Sequence, residues 1–454
     1  MQIFMLLKSN IKLSLITFIL LLVSTLCSSN ELKFPARIHT DKLEFKLVEN
    51  VIILPVELNG KFFNFILDTG VVNTMFFSMN QYDYSKNSDS PVQMLNGLGN
   101  GQKLKSFKKS DNIIRIGKAY CENFTLFVVD DTSVDFTGMI GVKIDGIIGY
   151  DFFKQFAVEI NYDKNFIKFT TNNFLTKKDT KEYEKLDISF LNENKPLIEV
   201  SAGDYGNVLT YRCLLDLGLN SSFWVCDSEI FKNKIELEED VLLGSSLNDH
   251  IFGQRGTVSI MNIGSHRIRN PIIYVPKSKF LKNISIMNRQ ASLGSLIIRK
   301  FNVIIDYKRK AFYLKKNKYF EEENLINKTG IFLKCSKILK TIITERSAER
   351  RSYAFEAKIA EGGSGTHNWC FKTCNHGSSD KISYKYEYQI AWVSMNSVAK
   401  KSGIRADDKL LMINEKDISE MTLEDVNKIL RSSKGNLNLY IERKKKRFRY
   451  MLKI

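Results

Sequence analysis

The sequence contains little that would cross-link a small domain or carry the chain repeatedly through a membrane. It has seven cysteines and six prolines among 454 residues. Cys27 aside, the cysteines follow no spacing typical of a disulfide scaffold, and a chain of this length can bury sizeable cores without cross-links. After residue 29 no segment is long and apolar enough to span a bilayer. These shortages exclude a disulfide-rich small domain and a protein that crosses the membrane many times.

The chain also lacks a concentrated basic region, although its formal net charge is +17. Lysines are spread along the whole length among Asp and Glu, so only the net charge favours a nucleic-acid partner, and we predict none. A hydrophobic fraction of 44% and a charged fraction of 26% are ordinary for globular proteins. The length predicts roughly two to four domains.

The N-terminus carries the pattern of a secretory signal. Two lysines precede the apolar residues 13–23, and small residues follow as far as residue 29. The pattern predicts a signal peptide over residues 1–29 and an exported protein that is periplasmic, attached to the cell envelope or secreted. Two alternatives stay open: a retained membrane anchor, and a lipid anchor at Cys27, although Leu26 is bulkier than the residue expected before a lipidated cysteine.

Two short motifs place an aspartate and a glycine at the end of an apolar run. Asp68-Thr69-Gly70 follows residues 65–67, and Asp216-Leu217-Gly218 follows residues 214–215. Because an isolated buried carboxylate is costly, two such turns in one chain suggest that the carboxyls meet. Neighbouring carboxyls share one proton, so one acts as an acid while the other acts as a base. Such a pair can activate water against a peptide bond.

The surroundings of these motifs also occur twice. Gly149, after Ile147 and Ile148, follows Asp68 by 81 residues, and Gly294 follows Asp216 by 78 residues. Short extended apolar runs fill both copies, which indicates β-strands. The sequence therefore predicts an internal duplication, with lobe 1 over residues 30–175 and lobe 2 over residues 185–320.

Each copy also carries glycines suited to a flexible hairpin. Gly97, Gly99 and Gly101 lie in a polar segment, and residues 244–256 hold a second glycine-rich segment. Two interpretations stay open for the first segment: a mobile flap that closes over a cleft, and a simple flexible loop.

The paired motifs resemble those of the retropepsin-like and pepsin-like aspartyl proteases. The tandem arrangement is similar to exported bacterial members that carry a C-terminal PDZ domain. The resemblance implies a mostly β, two-lobed acid-protease β-barrel architecture followed by an α+β PDZ domain. It also implies an aspartic-type endopeptidase that hydrolyses a polypeptide substrate without a cofactor.

The resemblance assigns roles to particular residues. Asp68 and Asp216 become the catalytic pair, and the first set of glycines becomes a flap over the substrate. The supporting residues that it implies are Thr69, Gly70, Ile148, Gly149, Gly218 and Gly294.

The second motif departs from the family at Leu217. Members carry a hydroxyl residue after each catalytic aspartate, which Thr69 supplies and Leu217 cannot. Val71 and Leu219 also stand where small residues are expected. The alternative is therefore a catalytically inactive, exported peptide-binding protein with a degenerate second lobe.

Residues 321–385 change in composition, and we predict a linker or a poorly ordered insert there. Four potential zinc ligands occur within it, but they lack any finger spacing, so we predict no metal site. These four residues are His367, Cys370, Cys374 and His376. Among the cysteines, Cys213 and Cys226 flank Asp216 and are the first candidates for a disulfide.

Residues 386–454 are regular again and are similar to a PDZ domain. Strand patterns surround a short helix that ends at Gly403 and an amphipathic helix over residues 423–430. A PDZ domain would bind an extended peptide as an added strand beside the second helix, with a carboxylate-binding loop expected just before Tyr388. The basic residues 444–447 fit a solvated hairpin turn better than a membrane or nucleic-acid patch.

Overall fold

The computed structural model describes residues 30–77, 93–95, 104–129, 136–226, 237–245, 250–277, 289–345 and 379–454. Strands make up 56% of the structure and helices 11%, so the predicted mostly β class is confirmed. The predicted signal peptide, the first glycine flap and the four potential zinc ligands lie outside the described residues.

Lobe 1 is built on an eight-stranded sheet with the order β2-β3-β4-β9-β5-β8-β7-β6 among the described residues. The turn at Asn59 and Gly60 joins β3 to β4, with positive φ angles of 49° and 80°. The lobe's strands are β1 Thr40–Glu44, β2 Lys46–Val48, β3 Val51–Leu58, β4 Lys61–Leu67, β5 Met75–Phe76, β6 Gln93–Leu95, β7 Leu104–Ile116, β8 Ala119–Val129, β9 Gly146–Ile148, β10 Phe156–Asn161 and β11 Phe166–Thr171. Its helices are α1 Phe136–Ile140 and α2 Tyr150–Phe153.

A short connection with a 3₁₀ turn at Asn172–Phe174 and helix α3, Lys177–Thr180, leads into lobe 2. The largest sheet of lobe 2 has ten strands in the described residues. The lobe's strands are β12 Glu184–Asp187, β13 Ser189–Leu191, β14 Lys195–Asp204, β15 Asn207–Asp216, β16 Phe223–Val225, β17 Glu238–Ser245, β18 His250–Thr257, β19 Ile260–Ile263, β20 His266–Arg269, β21 Ile272–Pro276, β22 Ala291–Gly294, β23 Phe301–Asp306 and β24 Ala311–Lys316. Its helix is α4, Ser295–Ile298.

The register of the strands shows the duplication directly. In lobe 1 the strand before Asp68 pairs in parallel with β9, with Leu67 opposite Ile148. In lobe 2 the strand before Asp216 pairs in parallel with β22, with Leu215 opposite Leu293. The two aspartates therefore end equivalent strands of equivalent sheets.

The two lobes share a third sheet, whose strand order is β1-β11-β10-β23-β24-β12. Its centre is the antiparallel pair of β10 from lobe 1 and β23 from lobe 2, with Val158 opposite Ile305. One buried apolar cluster contains residues of both lobes. The lobes are therefore joined by main-chain hydrogen bonds and by a common core.

A separate apolar core defines the C-terminal domain. Its sheet has the order β25-β26-β27-β29-β30, with β28 beside β27. The strands are β25 Ile331–Glu345, β26 Ser379–Val393, β27 Lys409–Ile413, β28 Lys416–Asp417, β29 Asn436–Arg443 and β30 Lys446–Lys453. The helices are α5 Val398–Lys401 and α6 Leu423–Ser432, and Thr422 caps α6 by accepting a hydrogen bond from the Asp425 N–H. Lys444 and Lys445 form the predicted hairpin turn, with φ angles of 51° and 64°.

The predicted linker is wrong over residues 331–345 and 379–385, which belong to β25 and β26. Outward-facing charged residues such as Lys334 interrupt the apolar pattern, because one face of a two-stranded ribbon is solvated. The expected position of the carboxylate-binding loop is also wrong. Tyr388 lies in β26, which is flanked by β25 and β27, whereas the edge strand beside α6 among the described residues is β25.

The C-terminal domain packs on both lobes. Against lobe 1, β25 lies beside α1, and Asn427 of α6 donates a hydrogen bond of 2.8 Å to the buried Glu49. Against lobe 2, the ring of Trp392 lies 4.7 Å from that of Phe252, and Phe332 joins an apolar cluster around Trp224. The domain therefore spans the same side of both lobes.

The proposed disulfide between Cys213 and Cys226 is absent, and both residues remain thiols. The thiol of Cys213 is buried and donates to the carbonyl of Tyr211 at 3.3 Å. Within the described residues no helix has the length and apolar character needed to cross a membrane.

Candidate active site

The turns that follow β4 and β15 bring Asp68 and Asp216 together. Gly70 shows how close the two carboxyls lie, because a Cβ placed there would be 3.1 Å from Asp68 Oδ1 and 3.0 Å from Asp216 Oδ1. A Cβ at Gly218 would lie 2.3 Å from Asp68 Oδ2. A side chain at Gly218 would therefore displace the Asp68 carboxyl, whereas one at Gly70 would require the two carboxyls to give way by a few tenths of an ångström.

Main-chain N–H groups hold the carboxyls in place. Gly70 donates to Asp68 Oδ1 at 2.6 Å, and Gly218 of the opposite turn donates to the same oxygen at 3.2 Å. Leu219 donates to Asp216 Oδ1 at 3.1 Å. The hydrogen bond from Gly218 crosses between the lobes, so the position of Asp68 depends on both copies of the motif.

The predicted glycines of the parallel strands lie directly behind the turns. A Cβ at Gly149 would lie 2.3 Å from the carbonyl oxygens of Asp68 and Val71. A Cβ at Gly294 would lie 2.2 Å from the carbonyl oxygen of Ser221. Ile148 is fully buried, and its carbonyl accepts the Asp68 N–H at 2.9 Å. Bare backbone is therefore needed where each of these strands crosses an aspartate turn.

Thr69 makes the expected contact across the lobes, and Leu217 does not return it. The Thr69 hydroxyl donates to the carbonyl of Leu215 at 2.5 Å and accepts the Leu217 N–H at 3.0 Å. The Leu217 side chain is fully buried in the core shared by the lobes. Its carbonyl instead accepts the Ser295 hydroxyl at 2.7 Å. The second turn is therefore held by Thr69 of lobe 1, by apolar packing and by Ser295 of its own lobe.

Burial raises the pKa of both carboxyls. Desolvation and the nearby charge of Asp216 raise the pKa of Asp68 to about 7, against the lowering effect of the Gly70 and Gly218 N–H groups. Desolvation also raises the pKa of Asp216, while Arg289 and Lys195 oppose this by favouring its charged form. Neighbouring carboxyls of this kind share one proton. Lys195 favours the ionised form of both carboxyls, and Arg289 favours the ionised form of Asp216.

Comparison with known families agrees with this geometry. Residues 54–152 match the family model described as aspartyl protease, and residues 373–442 match the model described as PDZ domain. The chain carries an aspartyl protease domain and a PDZ domain. No curated protein matches the chain.

The aspartyl protease match ends at residue 152, whereas Asp216 lies in the second copy of the motif. Asp216 is instead related to Asp68 by the register of its strand and by its position against Gly70. The mostly β lobes and the C-terminal PDZ domain agree with the architecture that the resemblance implies.

Two cations beside the aspartates were not among the candidates from the sequence. Lys195, the first residue of β14, is partly buried, and Arg289, just before β22, is 7% exposed. Both influence the charge of Asp216. Alignment of the two copies could have found them, since each cation replaces an apolar residue of lobe 1.

The second predicted flap is a strand hairpin of β17 and β18. Val241 lies opposite Gly253 in this hairpin, and a Cβ at Gly253 would lie 2.2 Å from the carbonyl oxygen of Val275. Trp224, which belongs to the adjoining apolar cluster, donates to the Ser221 hydroxyl at 2.6 Å. Leu219, next to the second aspartate turn, packs against the same cluster and links the hairpin to the site. No cluster of three or more potential metal ligands occurs in the part of the chain that the structure describes.

Proposed function

We propose that this protein is an aspartic-type endopeptidase that hydrolyses extended polypeptides by activating water between Asp68 and Asp216. The observation that carries the proposal is the convergence of two buried carboxyls on Gly70. The matched aspartyl protease domain supports the same chemistry.

The two carboxyls have different roles in this mechanism. Asp216, which lies near two cations, takes a proton from the bound water as general base. Asp68, whose pKa is raised to about 7, keeps its proton and donates a hydrogen bond to the carbonyl oxygen of the substrate. The attack of water gives a tetrahedral diol, and proton transfer to the leaving amine then breaks the C–N bond. No covalent bond to the protein forms.

We propose that the PDZ domain recruits peptides by pairing them with the edge of β25 beside α6, which carries no paired strand among the described residues. Helix α1 contacts β25, and Phe136 of α1 packs in the same apolar cluster as Val71, two residues after Thr69. A peptide at this edge would therefore be held next to the wall of the cleft. Export of the protein by the N-terminal apolar segment is part of the same proposal.

The competing function is that of a peptide-binding protein without activity, and Leu217 favours it. In its favour, Leu217 offers no hydroxyl to lobe 1 and buries its side chain in the core. Against it, the N–H of Leu217 still bonds to Thr69, and Asp216 still reaches the shared position at Gly70. These contacts preserve the pair of carboxyls that catalysis requires.

The test is cleavage of an unstructured protein by the wild type and by Asp68→Asn. We expect the wild type to cleave the substrate, with inhibition by a pepstatin-type compound, and the variant to lose cleavage. Asp187→Asn is the matched control, because the Asp187 side chain is 87% exposed and lies in β12, away from the aspartate turns. Equal cleavage by the wild type and Asp68→Asn would end the proposal.

A further inference from the structure

The wall of lobe 1 beside Asp68 is apolar. Ile53 of β3 lies opposite Ile66 of β4, so Val51 and Asp68 continue the same face of the two strands. Val51, Ile66 and Ile144 all belong to one buried apolar cluster. A substrate side chain on this side of the cleft would therefore meet aliphatic groups.

The equivalent wall of lobe 2 carries charge. Leu197 of β14 lies opposite Leu214 of β15, so Lys195 and Asp216 continue the same face of these strands. Lys195 therefore occupies the position that Val51 occupies in lobe 1. An aliphatic residue in one copy has been replaced by an ammonium group in the other.

A second replacement lies just before the neighbouring parallel strand. Ile144 lies four residues before Ile148, and Arg289 lies four residues before Leu293. Ile148 and Leu293 are equivalent in the two copies, because each pairs with the residue that precedes the aspartate of its own lobe. Arg289 donates from Nε to the Ala291 carbonyl at 3.3 Å and from Nη2 to the Ser292 hydroxyl. These acceptors are neutral, and no ion pair joins Arg289 to a carboxylate of the described residues, although its charge acts on Asp216.

The two cations belong to one group around Asp216. Burial and the charge of Arg289 lower the pKa of Lys195, while Asp216 and Asp68 raise it. The Lys195 ammonium makes no direct hydrogen bond or ion pair among the described residues, and the charges that act on it are those of Arg289, Asp216 and Asp68. A partly buried cation without a direct partner has lost hydrogen bonds to water. An incoming anion replaces those hydrogen bonds, so the cation favours its binding.

We propose that Lys195 and Arg289 form a carboxylate-binding subsite on the lobe 2 side of the cleft. This inference rests on the proposed peptidase function and deepens it. The substrate would place an aliphatic or aromatic side chain against lobe 1 and a carboxylate against lobe 2, on opposite sides of the scissile bond. The carboxylate comes either from an Asp or Glu side chain or from the C-terminus of a short peptide. Lys195 is then a specificity-determining residue.

The test compares peptides that differ by one charge. In the first arm, peptides carry an internal Glu or Gln next to a large apolar residue. In the second arm, peptides end after that position as a free acid or as an amide. We expect kcat/KM to favour the charged member of one arm by about tenfold or more, since a charge-assisted hydrogen bond is made or lost. The arm that responds identifies the source of the carboxylate.

The variants Lys195→Met and Lys195→Arg isolate the charge. We expect the Met variant to lose the preference, so that its ratio of kcat/KM for the Glu and Gln peptides falls to about one whatever its rate on either, and the Arg variant to keep the preference. Lys177→Met is the matched control on the exposed helix α3. Circular dichroism and thermal unfolding verify that each variant folds.

A pH profile on the Gln peptide separates binding from tuning of the aspartates. If Lys195 acted only by favouring ionised Asp216, the Met variant would shift the acidic limb of the profile upward and leave the Glu-to-Gln ratio unchanged, which would overturn the subsite. The absence of a preference in both arms for the wild type would overturn it equally. If the wild type cleaves no peptide, the proposed function fails, and binding of the same peptides then decides whether the subsite exists.

Discussion

The two lobes share a backbone plan and differ in the side chains that surround it. Both place an aspartate after a buried strand and a bare glycine behind the turn. In lobe 1, Thr69 reaches across to lobe 2, whereas in lobe 2 Leu217 is buried and makes no such contact. The backbone geometry has therefore been kept while the environments of the two carboxyls have diverged.

The divergence extends to the second layer of contacts. In lobe 1, Thr74 donates to Asp151 at 2.9 Å, and Asp151 also pairs with Lys154 at 3.2 Å. In lobe 2, Leu296 stands at the position of Asp151, the Ser295 hydroxyl donates to the carbonyl of Leu217, and Lys195 brings charge into the cleft wall. Different surroundings separate the pKa values of the two carboxyls, so one of them acts as the acid and the other as the base.

Removing each carboxyl separately tests whether both lobes contribute to catalysis. We expect Asp68→Asn and Asp216→Asn each to lower kcat by about 10²–10⁴-fold, because the acid and the base act as one unit. Cleavage rates under single-turnover conditions measure the loss, with Asp187→Asn as the unaffected control. Retention of activity in Asp216→Asn alone would show that lobe 2 is degenerate.

Asp68→Asn, which we expect to lower activity, should increase the stability of the fold near neutral pH. Because the pKa of Asp68 is raised from 3.8 to about 7, the folded state binds more protons than the unfolded state between these values. The contribution of Asp68 to stability is therefore present at low pH and is lost as the pH rises toward 7. We expect Asp68→Asn to raise the free energy of unfolding by about 1–4 kcal/mol at pH 8, with a difference that shrinks toward pH 4. Urea unfolding at both pH values measures it, and a destabilised variant at pH 8 would contradict the raised pKa.

The contact between the lobes can be weakened from the lobe 1 side. Thr69→Val keeps the shape of the side chain but leaves the Leu215 carbonyl and the Leu217 N–H without their hydroxyl partner. We expect a loss of about 1–3 kcal/mol in the free energy of unfolding, together with lower activity. Thr210→Val at an exposed position of β15 is the control. An unchanged free energy would mean that core packing alone holds the turns.

The smallest effect concerns how the PDZ domain is held by the two lobes. Glu49 of lobe 1 lies 3.4 Å from Arg431, whereas the contact with lobe 2 is between the aromatic rings of Phe252 and Trp392. We expect Glu49→Gln to weaken docking by about 0.5–1 kcal/mol, which is a two- to fivefold faster hydrogen exchange in α6, and added salt to have a similar effect on the wild type. Glu44→Gln on exposed β1 is the control. Unchanged exchange would show that the aromatic contact is sufficient.

Local signals explain what the sequence predicted. The aspartate turns, the glycines behind them and the duplication are encoded in short patterns, and the structure places them in matching registers. Lys195 and Arg289 are far apart in the chain and meet only through the pairing of β14, β15 and β22. Strand β25 escaped prediction because its solvated face carries lysines. The catalytic roles of Asp68 and Asp216 stay predictions until they are measured.

The sheet that joins β10 to β23 gives this molecule a freedom that a symmetric homodimer does not have. In a homodimer every substitution appears in both halves of the cleft, so neither half can change without the other. Here both halves belong to one polypeptide, so the cleft stays assembled at any dilution and each half can acquire its own mutations.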